Sequence, residues 1–287
     1  MILKNKTFGG LRARGVFKHS SNIKPLISVI TVVLNGEKHL EEAITSVIKQ
    51  TYENVEYIII DGGSTDGTLD IIRKYDDLID FWISEKDSGL YNAMNKGITL
   101  SRGDFIGFVG SDDYLYLNTI EKIVKAAKKA PIDFTVGPVD IIKENGKLKE
   151  KILILPKFLE KDRFVFDMAT HHLSFYVSRK IINKIGVFDE SFNIRSDYDI
   201  TIRVMRVSKK YYSFFNSIGA FREGGLSGSY KSYFESFYIL RKHGVSIFKS
   251  IISILPSLVK VFIIKSLPSQ IVNLLRKKFS SGRFTRF

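Results

Sequence analysis

Between Leu26 and Ala127 the chain alternates β-branched apolar runs with amphipathic stretches, and each run ends on a carboxylate or amide. The first run, Leu26–Leu34, is nine residues of almost unbroken Val, Ile and Leu. That is the pattern of a strand buried on both faces. A helix is expected over Glu37–Gln50, then a second buried strand over Val55–Ile60 ending at Asp61. A Gly/Ser/Thr/Asp turn leads into a helix with Leu69, Ile71 and Ile72, a strand at Phe81–Ser84 and a helix at Leu90–Leu100. A strand over Asp104–Val109 runs into Asp112-Asp113, and a helix with Ile120, Ile123, Val124 and Ala127 follows. This spacing constrains the fold to an α/β, Rossmann-like, mostly parallel sheet flanked by helices. Ligands of such sheets bind at the carboxyl ends of the strands. Asn35, Asp61, Glu85–Asp87 and Asp112-Asp113 all fall there.

The pattern changes beyond residue 130. Strands are expected over Phe134–Lys143 and Lys147–Leu155, flanking the hairpin signal Asn145-Gly146. Thr170–Val177 reads as a strand, which would send His171 and His172 to opposite faces. Ser196–Val207 reads as a helix and Tyr211–Asn216 as a strand. After Gly224-Gly225 the chain reads as helical to its end, broken by Pro256 and Pro268.

Charge is unevenly placed. The chain carries +14 overall, yet residues 25–227 hold 27 basic and 29 acidic side chains. Residues 1–24 hold six basic residues and no acid; residues 228–287 hold eleven and a single acid, Glu235. A nearly neutral body argues against nucleic acid as a partner, which would need a basic stripe on the fold. Basic ends rich in Phe, Ile and Leu suit an anionic membrane surface. Over Val245–Lys260 a helix would gather Lys249, Ser253, Ser257 and Lys260 on one side, leaving Ile251, Ile252, Ile254, Leu255 and Leu258 for the rest. An ordinary packed C-terminal helix pair is the rival reading. Residues 1–24 lack the apolar core of a secretory signal. Val245–Leu267 is interrupted by Lys249, Lys260 and Lys265, so no plain membrane span is expected. Cysteine is absent, which excludes disulfides, thiolate metal sites and a Cys nucleophile.

Taken singly, the polar motifs have ordinary explanations. Asp61-Gly62-Gly63-Ser64-Thr65-Asp66-Gly67-Thr68 lets backbone approach a ligand closely, but it is also a turn with Asp66 as a helix cap. Asp112-Asp113 suits a cation holding a diphosphate, or else the start of a helix. Asp197 opens an amphipathic helix as a cap, or serves as a general base.

In order, however, the blocks resemble the family 2 glycosyltransferases of the GT-A fold, over about Leu26 to Ser227. They are the first strand with Asn35, D-G-G-S-T-D-G-T at 61–68, S-E-K-D-S-G-L-Y-N-A-M-N-K-G at 84–97 and G-D-F-I-G-F-V-G-S-D-D at 103–113. H-H-L-S-F-Y at 171–176, F-D-E at 188–190, S-D-Y-D at 196–199 and G-G-L-S at 224–227 complete the set. The closest likeness is to the branch that extends bacterial surface polysaccharides. The resemblance implies a GT-A domain over 25–227, with a nucleotide-sugar half (25–130) and an acceptor half (131–227). A basic N-terminal segment (1–24) and a helical basic extension (228–287) flank it.

The resemblance also implies roles. Asp61 would contact the nucleotide base or ribose. Thr31, Asn35, Gly63, Ser64, Glu85, Asp87, Asn95 and Lys96 would line the nucleotide-sugar pocket, together with Ser111 and Asp112. Asp113 would hold Mn²⁺ or Mg²⁺ and Asp197 would be the catalytic base. His171 is the candidate for a further metal ligand, with acceptor contact and plain packing left open for both histidines. Five residues depart from the pattern: Ser111 for the first acid of D-x-D, Gly62 and Asn92 for acids, Ser196 for the Glu before the base, and His172 for a Gln. The implied reaction is an inverting transfer from a nucleotide-diphosphate sugar to a saccharide acceptor, lipid-linked or not, at the cytoplasmic face of the membrane. A polyprenyl-phosphate sugar synthase, a nucleotidyltransferase and a non-catalytic basic membrane- or nucleic-acid-binding protein are the alternatives.

Overall fold

The computed structural model describes residues 7–152, 165, 170–223 and 230–255. The expected parallel core is present. Strands β2 (Ile27–Val33), β3 (Val55–Asp61), β4 (Phe81–Ser84) and β5 (Phe105–Phe108) run parallel in the order β4-β3-β2-β5. Helices α1 (Leu40–Ile48), α2 (Thr68–Lys74), α3 (Leu90–Leu100) and α4 (Thr119–Lys129) connect or follow them. Strand β2 serves two cores by alternation. Ile27, Val29 and Val33 join one cluster with Leu40 and Ile44 of α1; Ile30 joins the other with Met94 and Ile98 of α3. Each fully buried Ile or Leu contributes about 1.5–3 kcal/mol. Gly97 lets α3 come close, since a Cβ there would lie 2.5 Å from Ile30.

Four differences from the sequence reading have local causes. The N-terminal segment forms β1 (Thr7–Gly9), antiparallel to β4. Its basic residues pair with the body: Arg14 with Asp76 and Asp77, Lys18 with the buried Asp80. The single strand expected over Phe134–Lys143 is two, β7 (Phe134–Val136) and β8 (Val139–Ile142), split at Gly137-Pro138 between different sheets. Proline cannot donate to a ladder, so the chain changes sheet there. β8 forms the expected hairpin with β9 (Leu148–Ile152), and Gly146 sits at φ 76° in its turn. Third, a two-residue strand β6 (Tyr114–Leu115) pairs with β12 (Gly219–Arg222), building a small second sheet in the order β6-β12-β8-β9.

Fourth, Thr170–Val177 is not one strand. His172–Ser174 is a 3-10 turn, and only Val177–Ser178 (β10) is extended, antiparallel to β5 and β7. The two histidines therefore do not point to opposite faces; their rings lie 4.3 Å apart. Next come α5 (Arg179–Ile185), α6 (Ser196–Val207), β11 (Tyr211–Ser213) and α7 (Tyr230–Lys242). A further helix, α8, covers 247–255. Among the described residues no helix is long and apolar enough to cross a membrane. The expected G-G-L-S block and the tail beyond 255 lie outside the described residues.

Candidate active site

Four loops lie side by side at the carboxyl edge of the parallel strands. Gly36, after β2, sits where a Cβ would come 3.4 Å from Ser111, after β5. Gly62, after β3, sits where a Cβ would come 3.1 Å from Asp87, after β4.

The turn after β3 is built by short-range bonds. Asp61 is fully buried and accepts from the Ser64 N–H (3.1 Å), the Gly63 N–H (3.3 Å) and the Ser84 hydroxyl (2.5 Å). Asn35 takes a left-handed backbone (φ 52°) that an amide side chain tolerates better than most. It binds the same turn twice: its N–H donates to Ser64 Oγ (2.7 Å) and its Oδ1 accepts from the Thr65 N–H (2.9 Å). Asp66 caps α2 from one position before the N-cap Gly67, accepting the Thr68 N–H at 3.1 Å. Gly63 takes φ 84°, which leaves its backbone free to meet a ligand at close range. Beside this turn Lys96 bridges Glu85 (3.0 Å) and Asp87. Burial raises the pKa of Asp87, and Lys96 offsets part of that.

Two residues expected in the pocket are elsewhere. Thr31 is fully buried on the core face of β2, where its hydroxyl accepts from Tyr57 Oη at 3.1 Å. Asn95 is buried and pins the 188–190 loop, donating to Phe188 O (3.0 Å) and Glu190 Oε1 (2.8 Å) and accepting from the Phe188 N–H (2.9 Å). Strand parity and helix phase turn both inward, and their motif positions alone did not reveal it.

The second half of the site assembles over long distances. Asp113 is 1% exposed; Asp112 beside it is exposed and Ser111 half-buried. Asp113 Oδ2 lies 2.9 Å from His172 Nε2, and its Oδ1 accepts the Arg222 N–H at 3.0 Å. The histidine at the carboxylate is thus His172, not His171. His171 packs its ring 4.7 Å from Phe221 and accepts the Leu173 N–H. Burial opposes a charge on His172, but the hydrogen bond to Asp113 and the charges of Asp113, Asp197 and Asp112 outweigh it and raise its pKa. Arg222, buried in β12, donates to the Asp112 and Glu144 carbonyls and to Glu42, tying the 112–113 loop to the β8–β9 turn and to α1. Nothing in the motif pattern pointed to Arg222.

Asp197 stands in the first turn of α6. Its Oδ1 accepts the Tyr198 N–H (2.9 Å) and lies 3.3 Å from Tyr91 Oη. Burial raises its pKa, while Arg195, His172 and the Tyr198 N–H hold the rise in check. A small, mostly apolar cavity of about 30 Å³ is lined by Asp197 together with His172, Phe108 and Phe188. His172 therefore links the two carboxylates, bonded to one and sharing a cavity wall with the other.

Among the described residues no cluster of three or more His, Asp or Glu side chains forms a ready cation cage. Asp113 Oδ2 and His172 Nε2 are nonetheless two adjacent donors about as far apart as neighbouring ligands of one ion. That pair fits a divalent cation whose other ligands come from a diphosphate.

A model of the glycosyl transferase family 2 matches residues 28–190. Among similar proteins are an uncharacterized glycosyltransferase of Rickettsia typhi, 30% identical over 66% of this chain and 61% of its own length, and a PGL/p-HBAD biosynthesis glycosyltransferase of Mycobacterium tuberculosis, 29% identical over 62% of this chain and 69% of its own. The chain spans between 29% and 61% of the length of the Rickettsia relatives. The fold resembles S. aureus TarS 1–349 in complex with UDP-GlcNAc, with TM-score 0.63 and 18% identity over 81% of this chain and 71% of that one. It also resembles the mannosyltransferase PcManGT from Pyrobaculum calidifontis in complex with GDP-Man and Mn²⁺, with TM-score 0.55 and 15% identity over 95% and 86%.

Proposed function

The chain belongs to glycosyl transferase family 2, and on that premise we propose that it moves a sugar, with inversion, from a nucleoside-diphosphate sugar to a hydroxyl of a saccharide acceptor in surface polysaccharide synthesis. The domain division follows, with the donor half over 25–130 and the acceptor half over 131–227. The supporting observation is that Asp197 and His172, the latter bonded to the buried Asp113, line one cavity. Gly63, Ser64, Glu85, Asp87 and Lys96 form the donor rim, with Asp61 and Asn35 holding its turn in shape. Asp113 and His172 would hold Mn²⁺ or Mg²⁺, which when bound offsets charge on the departing diphosphate.

Asp197 takes the proton of the acceptor hydroxyl as that oxygen attacks the anomeric carbon. Its raised pKa makes it a better base than an ordinary carboxylate. Phe108 and Phe188 on the cavity wall keep bulk water from its other side. Calorimetric titration with UDP, dTDP, GDP, ADP and CDP, with and without Mn²⁺, tests the reading. Binding of one base, tightened by metal, is expected; no binding in either condition would overturn it.

The acceptor is proposed to be lipid-linked and the protein to work at the cytoplasmic face of a membrane. Supporting this, α8 turns Ser250 and Ile254 into the body and exposes Phe248 (73%), Ile252 (52%) and Leu255 (50%). The sequence around it is cationic in composition, with eleven basic residues and one acid in 228–287. Flotation with anionic liposomes should be lost in a Phe248→Asp, Ile252→Asp double variant; unchanged flotation would remove α8 from the contact.

A further inference from the structure

Glu235, the single acid of the basic C-terminal region, is not on the exposed face of its helix. Its carboxylate accepts three consecutive backbone N–H groups at the entry to α6: Asn193 (2.9 Å), Ile194 (2.9 Å) and Arg195 (2.8 Å). These N–H groups precede α6 and belong to the turn that leads into it, and a negative charge beside that turn suits the positive end of the helix dipole. Ser196, the first residue of α6, does not tie this turn down: it is fully buried and its hydroxyl has no hydrogen-bond partner among the described residues. The anion comes instead from α7, which is also tied to this turn by Arg195 Nε donating to Ser232 Oγ at 2.7 Å.

The consequence lies one bond further on. The Ile194 carbonyl, in the stretch that Glu235 holds, accepts from Tyr91 Oη at 2.8 Å. Tyr91 Oη is also 3.3 Å from Asp197 Oδ1. A phenol has one proton to donate, and the shorter contact takes it. If residues 193–195 drift, that proton turns to Asp197 and weakens it as a proton acceptor.

We propose that Glu235 is a positioning residue for Asp197, acting through the 193–195 backbone and the Tyr91 hydroxyl; the proposal rests on Asp197 being the base. The C-terminal region thereby takes part in the chemistry of a site that otherwise lies within residues 25–227.

The test uses the full-length chain and the nucleoside-diphosphate sugar whose base binds in the calorimetric panel, with release of nucleoside diphosphate as the readout and water as acceptor. Glu235→Gln should lower kcat about tenfold while the donor KM stays within about twofold, since only the proton acceptor is disturbed. In a Tyr91→Phe background the same substitution should cost less than about threefold, because the intermediary is gone. Lys231→Ala, on the exposed side of the same helix, should leave kcat unchanged. An unchanged kcat in Glu235→Gln, or an equal loss in both Tyr91 backgrounds, would overturn the proposal. Should Glu235→Gln fail to fold, Glu235→Asp keeps the charge but shortens its reach, and the same pair of backgrounds decides. No turnover by the unaltered chain, or full turnover by Asp197→Asn, would instead bring down the transferase reading itself.

Discussion

The turn after β3 and the turn that opens α6 each carry a carboxylate of the candidate site, but they are held over very different spans of chain. Asp61 and its neighbours bond to partners 2 to 30 residues away: Gly63, Ser64, Ser84 and Asn35. Asp197 is reached by Tyr91 across 106 residues, Asp113 by His172 across 59 and by Arg222 across 109. The first turn is a local device that any nucleotide-binding strand end could carry. The second exists only once three distant parts of the chain have packed. Proton-transfer chemistry needs that expense, because a base must be shielded from water and held by groups that do not themselves compete for the proton.

The largest effect should come from cutting the long-range half at its reacting group. Asp197→Asn should lower turnover about 10²–10⁴-fold with nucleotide affinity unchanged. In the unaltered chain, activity should fall as pH drops through the raised pKa of Asp197, leaving the acid limb of the pH–rate profile above the ordinary carboxylate range. Equal loss of nucleotide binding and turnover would mean that Asp197 belongs to the donor half.

Next in size is the clamp that carries α6. Asp199, fully buried, accepts from Arg203 (2.8 Å) and lies within 3.0 Å of His243 and Lys242, joining α6 to the end of α7. Burial opposes its charge, but His243, Lys242 and Arg203 outweigh it and hold the pKa well below the ordinary range. A lowered native pKa stabilises above the unfolded value and is lost as pH falls through the native one. Asp199→Ala should therefore cost about 1.5–3 kcal/mol at neutral pH, through loss of the charge-assisted hydrogen bonds that Asp199 accepts. The deficit relative to the unaltered chain should shrink only below about pH 4. Urea unfolding across that range checks both.

The smallest effect should come from the short-range half. Ser64→Ala removes a hydroxyl that receives the Asn35 N–H and contacts Asp61, worth about 1 kcal/mol. It should weaken nucleotide binding more than it slows transfer. If it costs as much stability as Asp199→Ala, the distinction between a local and a long-range half fails.

The same distinction explains what could be read without coordinates. Strands β2 to β5 and helices α3 and α6 were legible because each satisfies its own period, and the strand-end polar residues because parallel topology gathers them on one edge. The split at Gly137-Pro138 carries a local turn signal that the apolar runs on either side mask, whereas the turn at His172–Ser174 carries none, and only packing separates it from a strand. Thr31 and Asn95 matched motif positions yet face the core and the 188–190 loop. Glu235 stood out in the charge count as the lone acid of its region, with nothing to say what it met.

By itself the amino-acid order determined the alternating architecture and the edge of the sheet where polar residues gather, and it offered Asp61, Asp113 and Asp197 as the candidate acids of the site. Periodicity and turn chemistry act over a few residues and are written locally. Tertiary structure alone decided that His172 rather than His171 meets Asp113, that Arg222 holds the loop beneath it, and that Glu235 crosses from α7 to hold the turn before the helix of Asp197. Those are pairings between groups 40 to 110 residues apart, chosen by which surfaces bury together, and no local pattern encodes them.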